Sequence, residues 1–238
     1  MSKLKWLAAA ALAAVVLVVG GTWVYINVIR EDAPPPLALD DLEGAEDAVG
    51  STSTTGAAPD DADDDTIEGR WTTADGSIAG YRVNEVLFGQ SVEAVGRTDD
   101  VDGTLTIVGT DVTEASFEID MTTVSSDESR RDGQFRGPVM SVDQFPTATF
   151  VLTEPIALGA DVGAGSAVTV DAIGELTLRG QTMTVTIPLE ARHANGRIEV
   201  VGSYTVVFAD WGIPNPSRPG IDTEDQGVLE VLLSFERG

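Results

Sequence analysis

Apolar side chains recur at every second position through most of the stretch from Gly69 to Gly238. Ala115 to Met121 sets Ala115, Phe117, Ile119 and Met121 on one face, and Met183 to Leu189 does the same with Met183, Val185, Ile187 and Leu189. Ile198 to Phe208 groups Ile198, Val200, Tyr204, Val206 and Phe208, and Val228 to Phe235 groups Leu229, Val231, Leu233 and Phe235. That period belongs to a strand with one buried and one wet face. Ile78–Phe88, Val101–Val108, Thr147–Thr153 and Val168–Leu178 complete about eight strands on the same reading. Asn195-Gly196, between two of them, has the residues of a type I′ hairpin, and Gly180-Gln181 marks a weaker turn. No amphipathic helix exceeds about ten residues by the helical period, and the best short one lies within Ser126–Asp143. The sequence therefore predicts an all-β, antiparallel domain over residues 69–238. Alternation leaves a closed barrel and a two-sheet sandwich both open.

Two unlike segments come before this domain. Trp6 to Ile29 is an apolar run interrupted only by small residues, Thr22 and Asn27. As a helix it is roughly 36 Å long, enough for a hydrocarbon core of about 30 Å. Lys3 and Lys5 precede it and acidic residues follow Arg30, so the positive-inside rule keeps the N-terminus cytoplasmic and exports the rest. A cleaved signal peptide shows a shorter apolar region ending in a small-x-small site. Here the alanines come first and bulky residues follow, so residues 1–30 read as a single-pass transmembrane anchor. Residues 31–68 carry Pro34-Pro35-Pro36, a Ser/Thr run and an Asp-rich run, with sparse, aperiodic apolar residues. They read as a disordered linker, because so little apolar surface cannot offset the entropy of ordering. Extended by self-repulsion, about forty such residues hold a domain tens of ångströms from the membrane.

Composition excludes several functions. The net charge is −25 with 39 acidic and 14 basic residues, and Lys3 and Lys5 are the only lysines. Nucleic acid needs cationic neutralisation of its phosphates, so it is not an expected partner; flat docking on anionic lipid is disfavoured for the same reason. The absence of cysteine removes disulfides, thiol chemistry and cysteine-ligated zinc. His193 is the only histidine, next to the Asn195-Gly196 turn, where exposure is expected. With one histidine and no G-x-S-x-G elbow, a Ser-His-Asp machinery has no support. The Asp run lacks the glycine and terminal glutamate of an EF-hand loop, and Gly159–Gly165 lacks the Lys-Ser of a phosphate cradle. No catalytic residue, metal ligand or cofactor is expected.

Arg130, Arg131 and Asp132 admit two readings: guanidinium forks gripping an anionic head group at a mouth, or an Arg-Asp pair pinning a turn. Trp71, Trp211, Phe88, Phe135, Phe145 and Phe150 line a pocket or simply fill the core. Small inward residues such as Ala115, Ala148, Ala172, Gly174 and Gly202 leave room for a ligand or let strands bend.

Three segments in order resemble a known family. Ser129–Leu152 reads SRRDGQFRGPVMSVDQFPTATFVL, with an Arg-Asp, an aromatic-Pro and a Thr-x-Phe strand. Gly174–Gly180 (GELTLRG) is followed by Met183–Leu189, and Phe208–Ile213 reads FADWGI. Together they resemble the signature of the YceI-like family from about Gly69 to the C-terminus. The resemblance implies an extracytoplasmic, lipocalin-like barrel of eight antiparallel strands with one short helical segment, holding a polyisoprenoid or other long-chain amphiphile. Many family members carry Phe-x-(Ile/Val)-x-His in the first strand; here the stretch is Tyr81-Arg-Val-Asn-Glu85, so Glu85 stands in the histidine's place and that residue's role does not carry over. The anchor and the acidic linker lie outside the signature. With the alternation, such a barrel would line its cavity or mouth with Phe117, Ile119, Met121, Arg131, Phe135, Met140, Phe145, Ala148, Phe150, Leu152, Val170, Leu176, Val185, Ile187, Tyr204, Val206, Phe208 and Trp211. The partners implied are a long-chain lipid or isoprenoid and, through the N-terminal helix, the cell membrane; a homo-oligomer is left open. The alternative is an envelope structural or stress-response domain whose barrel is filled by its own side chains. Hydrolysis is a distant third.

Overall fold

The computed structural model describes residues 20–21, 33–42, 66–159 and 166–238. Apart from Gly20 and Gly21, the apolar run Trp6–Ile29 lies outside them, as does residues 43–65 of the linker. Among the described residues no helix is long and apolar enough to cross a membrane.

Thirteen strand segments form one antiparallel sheet. They are β1 (Gly69–Thr73), β2 (Ile78–Leu87), β3 (Gln90–Thr98), β4 (Val101–Val108), β5 (Asp111–Asp120), β6 (Ser125–Ser126), β7 (Thr147–Leu152), β8 (Ile156–Ala157), β9 (Val168–Leu178), β10 (Gln181–Ala194), β11 (Arg197–Val207), β12 (Ile221–Thr223) and β13 (Gln226–Arg237). Helix α1 (Ser129–Gln134) runs into a π-helical turn (Phe135–Val139) that contains Pro138.

The ring closes because β13 is long enough to pair twice. Its upper half pairs β2 (Val228↔Arg82 to Leu232↔Ile78) and its last residues pair β1 (Phe235↔Thr73 to Arg237↔Trp71). β1 and β2 thus form one bent stave. β3 and β4 form a second, joined through Asp99 and Asp100, with β3 on β2 and β4 on β1. The circuit continues through β5, β7, β9, β10 and β11 back to β13, giving a closed eight-stave antiparallel barrel. The staves also show why closure is partial at one end. β4 follows β5 up to Val101↔Ile119, but above that level β3 meets only the two residues of β6. α1 and its π-helical turn occupy that gap, with Phe135 stacked on Tyr81 of β2 at 5.0 Å.

Several boundaries differ from those expected from sequence. The turn between β9 and β10 sits at Arg179-Gly180, one residue before the expected Gly180-Gln181, because Arg179 itself takes a left-handed φ of 49°. Asn195-Gly196 turns as expected, with φ of 54° and 73°. β10 runs on to Ala194 and carries His193 with it. The imidazole is half-buried, edge-on to Trp71 at 6.0 Å, rather than exposed.

Residues 33–42, which the sequence reading puts in the linker, lie along the outer wall of the barrel. Leu39 and Leu42 are buried against Leu232, itself 1% exposed, with Leu37 and Val201 beside them. The strap is held by main-chain carbonyls. Arg82 donates to Pro34 O at 2.8 Å, Arg97 to Pro35 O and Arg192 to Leu39 O at 3.1 Å. Beneath it, buried Glu230 accepts from Arg82, Arg97 and the Leu37 amide, and buried Glu199 pairs with Arg192. Proline favours this arrangement physically. It leaves its carbonyl free and has fewer unfolded conformations to lose on docking.

Candidate functional site

The inward faces of the staves leave two apolar lobes that meet at a waist of Ile119, Ala148 and Leu229, residues that line both. The lower lobe has a volume of about 110 Å³. Apart from Thr149, every lining side chain is apolar. Trp71 and Ile67 close the barrel below it. The Trp71 indole donates to Ile67 O at 2.9 Å, and the Arg237 guanidinium covers its ring at 4.9 Å. Arg237 also donates to Glu68 O at 2.8 Å, so the chain on entering the barrel is fastened to its last strand.

The upper lobe, about 140 Å³, lies under α1 and acquires polar groups toward the top: Glu85, Arg131, Gln134 and Thr223. Tyr81 also lines it, and burial pushes its phenol well above the ordinary value for tyrosine, so it is neutral and a donor at any physiological pH. Glu85, Arg131, Gln134 and Pro216 are shared with a wider vestibule of about 410 Å³, ringed further by Leu87, Phe88, Asp127, Glu128, Arg130 and Arg218. The site is therefore a pair of adjoining apolar lobes, the upper of which borders a charged vestibule.

The mouth separates the three residues of the Arg-Arg-Asp turn. Asp132 is buried and accepts from Ser126 N at 2.9 Å and Ser126 Oγ at 2.6 Å, fastening α1 to β6. Arg131 pairs with Asp127 and Ser126 Oγ, not with Asp132, and its side chain borders both the upper lobe and the vestibule. Arg130 is exposed on the vestibule rim. Asp132 pins the turn through Ser126 and not through the Arg-Asp pair of the sequence reading, while both arginines border the vestibule.

Of the other residues singled out from sequence, Phe117, Phe150, Leu152, Val170, Leu176 and Ile187 line the lower lobe. Met121, Phe135, Met140, Val206 and Phe208 line the upper one, and Ile119 and Ala148 form the waist. Phe145, Val185, Tyr204 and Trp211 lie off both. Val185 and Trp211 are packed within the upper core, Tyr204 lies against it, and Phe145 covers the Arg179-Gly180 turn. The small inward residues divide too. Ala115, Ala148 and Ala172 border open volume. Gly174 and Gly202 do not, since a Cβ there would collide with the Phe150 ring and the Leu189 side chain, which already fill the space.

Tyr81, Val83, Glu85, Gln134, Pro216, Thr223 and Leu229 also line the upper lobe, beyond the residues expected there from sequence. Alternation across Ile78–Phe88 and Val228–Phe235 was a sufficient signal for the first three and for Leu229. Pro216 and Thr223 come from the connection between β11 and β13, which has no period to read. Among the described residues no group of three or more His, Cys, Asp or Glu side chains could hold a metal ion.

The fold is similar to those of several solved structures. A polyisoprenoid binding domain from Saccharophagus degradans, implicated in plant cell wall breakdown, aligns with a TM-score of 0.57 at 17% identity, over 72% of this chain and 99% of that one. BcnA of Burkholderia cenocepacia aligns with a TM-score of 0.51 at 17% identity, over 65% of this chain and 95% of that one. No curated protein matches in sequence. The YceI-like domain model matches residues 70–235, most of the chain and the whole closed barrel but its last residues, and the protein belongs to the YceI-like family.

Proposed function

We propose that the barrel binds the hydrocarbon chain of a long amphiphile, a polyisoprenoid or a fatty-acyl lipid, and that Trp6–Ile29 tethers it to the membrane on the extracytoplasmic side. The observation that carries the reading is the pair of apolar lobes joined at a waist and opening through a charged mouth. Empty apolar cavities of this kind, on the order of 100–150 Å³, stay dry and take up apolar guests. Each buried methylene contributes about 0.8 kcal/mol, so a long chain gains affinity without directional bonds. Arg130, Arg131, Arg218 and Gln134 stand where an anionic or polar head group would rest, and the neutral Tyr81 phenol is one more donor below them. The Saccharophagus degradans domain, described as polyisoprenoid binding, has the same barrel and lends the ligand class support.

The filled-barrel alternative has one observation in its favour: Phe150 and Leu189 occupy the space that Gly174 and Gly202 vacate. One substitution separates the two readings. Ala148 is the smallest side chain of the waist and touches both lobes. In Ala148→Trp the ring would enter the lobes. Lipid extracted from the parent protein should appear by mass spectrometry, and the variant should carry much less of it with little loss of melting temperature. Overpacking a filled core costs about 1–3 kcal/mol. A stability loss of that size, with no lipid on the parent, would establish the filled barrel instead.

A further inference from the structure

The strap has a direction. Its N-terminal end is held by Arg82, midway along β2, and its C-terminal end brings Leu42 to Gly76, in the bend below β2. Ala33 is therefore the end of the strap nearer the mouth. Ile29 is only four residues before Ala33, so it can lie no more than about 14 Å away. Leu87, at the rim, is five residues beyond Arg82 along a strand, about 17 Å. Without the strap the first fixed residue would lie near Gly69, and the intervening chain could stretch over about 130 Å.

The rim carries Phe88, the most exposed of the large apolar side chains among the described residues, although Val108 at the opposite end is 56% exposed too. Phe88 and Gly89 form the tip of the β2–β3 hairpin with φ of 48° and 86°. A left-handed φ is costly for a bulky residue, and this position ordinarily falls to Asn or Gly. Phe88 is nevertheless 61% exposed, and Val86 beside it is 41% exposed. Charge around this tip is near balance, with Arg130, Arg131 and Arg218 against Glu85, Asp127, Glu128 and Asp222, in a chain of net charge −25.

We propose that the strap turns a long leash into a short clamp, holding the barrel mouth-down on the bilayer with the Phe88-Gly89 tip in the lipid interface. This rests on the reading of Trp6–Ile29 as a membrane anchor. The apolar tip faces the interface region of a zwitterionic phosphatidylcholine bilayer, while Arg218 and Arg130 reach the phosphate level. The lobes then open toward the hydrocarbon from which an amphiphile would be drawn.

The chain contains no cysteine, so one introduced thiol reports one place. Full-length protein in phosphatidylcholine vesicles would carry an environment-sensitive fluorophore on Phe88→Cys or, at the opposite end of the barrel, on Val108→Cys. Nitroxide-bearing lipid should abolish most of the emission at 88 and leave that at 108 unchanged. Adding Leu39→Asp and Leu42→Asp should undo the quenching at 88 while the protein still floats with the vesicles and its barrel tryptophan emission stays as in the parent. Emission at 88 that is no more quenched than at 108, in protein that floats, overturns the clamp and leaves the anchor standing. Quenching that persists after both leucines are replaced overturns the role of the strap. Protein that does not float overturns the anchor, and the clamp with it.

Discussion

Arg179 shows what the family signature does in this molecule. It occupies the first turn position between β9 and β10 and donates to Val139 O at 2.8 Å, to Ser141 Oγ at 3.3 Å and to Gly212 O. Val139 and Ser141 belong to the Ser129–Leu152 segment and Gly212 to Phe208–Ile213, while Arg179 itself lies in Gly174–Gly180. One guanidinium thus ties together the three stretches that carry the resemblance, and Phe145 closes over the neighbouring Gly180. The signature marks the architecture of the open end, which explains why its residues were legible as a pattern but not as chemistry. Trp211 and Phe145 are conspicuous in sequence and serve packing; Glu85 stands out in sequence only as a departure from the signature, and it meets Thr223 at the mouth only in the fold, 3.5 Å apart. An ammonium cannot reproduce a fork that reaches several acceptors at once. Arg179→Lys should therefore lower stability by about 1.5–3 kcal/mol, the range for hydrogen bonds to charged groups. Urea unfolding gives the number, and a lysine variant as stable as the parent would show that the clasp lies elsewhere.

At the scale of elements, legibility followed exposure. β5, β9 and β10 each have one buried and one wet face, as does β11 beyond the strap, so their alternation survives in the sequence. β3 does not show it, because Ala94 and Thr98 are buried and so is Val95 between them, while Arg97 lies beneath the strap. The strap escaped for the converse reason. Leu37, Leu39 and Leu42 follow neither the strand nor the helix period, and prolines and aspartates around them have the composition of a linker. Its docking is a tertiary fact, set by an acidic and arginine-rich outer wall that no local window contains. Burying a leucine contributes roughly 1.5–3 kcal/mol, against about 1–2 kcal/mol per residue for fixing a backbone, a cost the prolines reduce. A chain beginning at Ile67 should therefore still fold, since the barrel closes without the strap. It should be less stable than one beginning at Ala33 by on the order of 2 kcal/mol, and less soluble because Leu232 is uncovered. Equal urea midpoints for the two chains would make the strap a passenger.

For the whole molecule, charge and strap make one joint prediction. Arginines 82, 97, 131, 179, 192 and 237 are all engaged with carboxylates or carbonyls of the barrel and strap, so little of the net charge of −25 is compensated at the surface. Such a surface disfavours anionic membranes, and under the proposed anchor Lys3 and Lys5 set the N-terminus in the cytoplasm. On the reading of residues 43–65 as a linker from their composition, an added protease should cut there. Protease applied to intact cells should then cleave the chain between strap and barrel. A strap that contributes on the order of 2 kcal/mol cannot hold the barrel once the cut makes that contact intermolecular, so the barrel should pass into the medium. A small membrane stub that ends beyond Leu42 should remain. A barrel found in the medium before any protease is added, with its N-terminus beyond Trp23, would show instead that the apolar run is a cleaved signal peptide. Full protection in intact cells, with cleavage only after lysis, would place the barrel on the cytoplasmic side and reverse the topology.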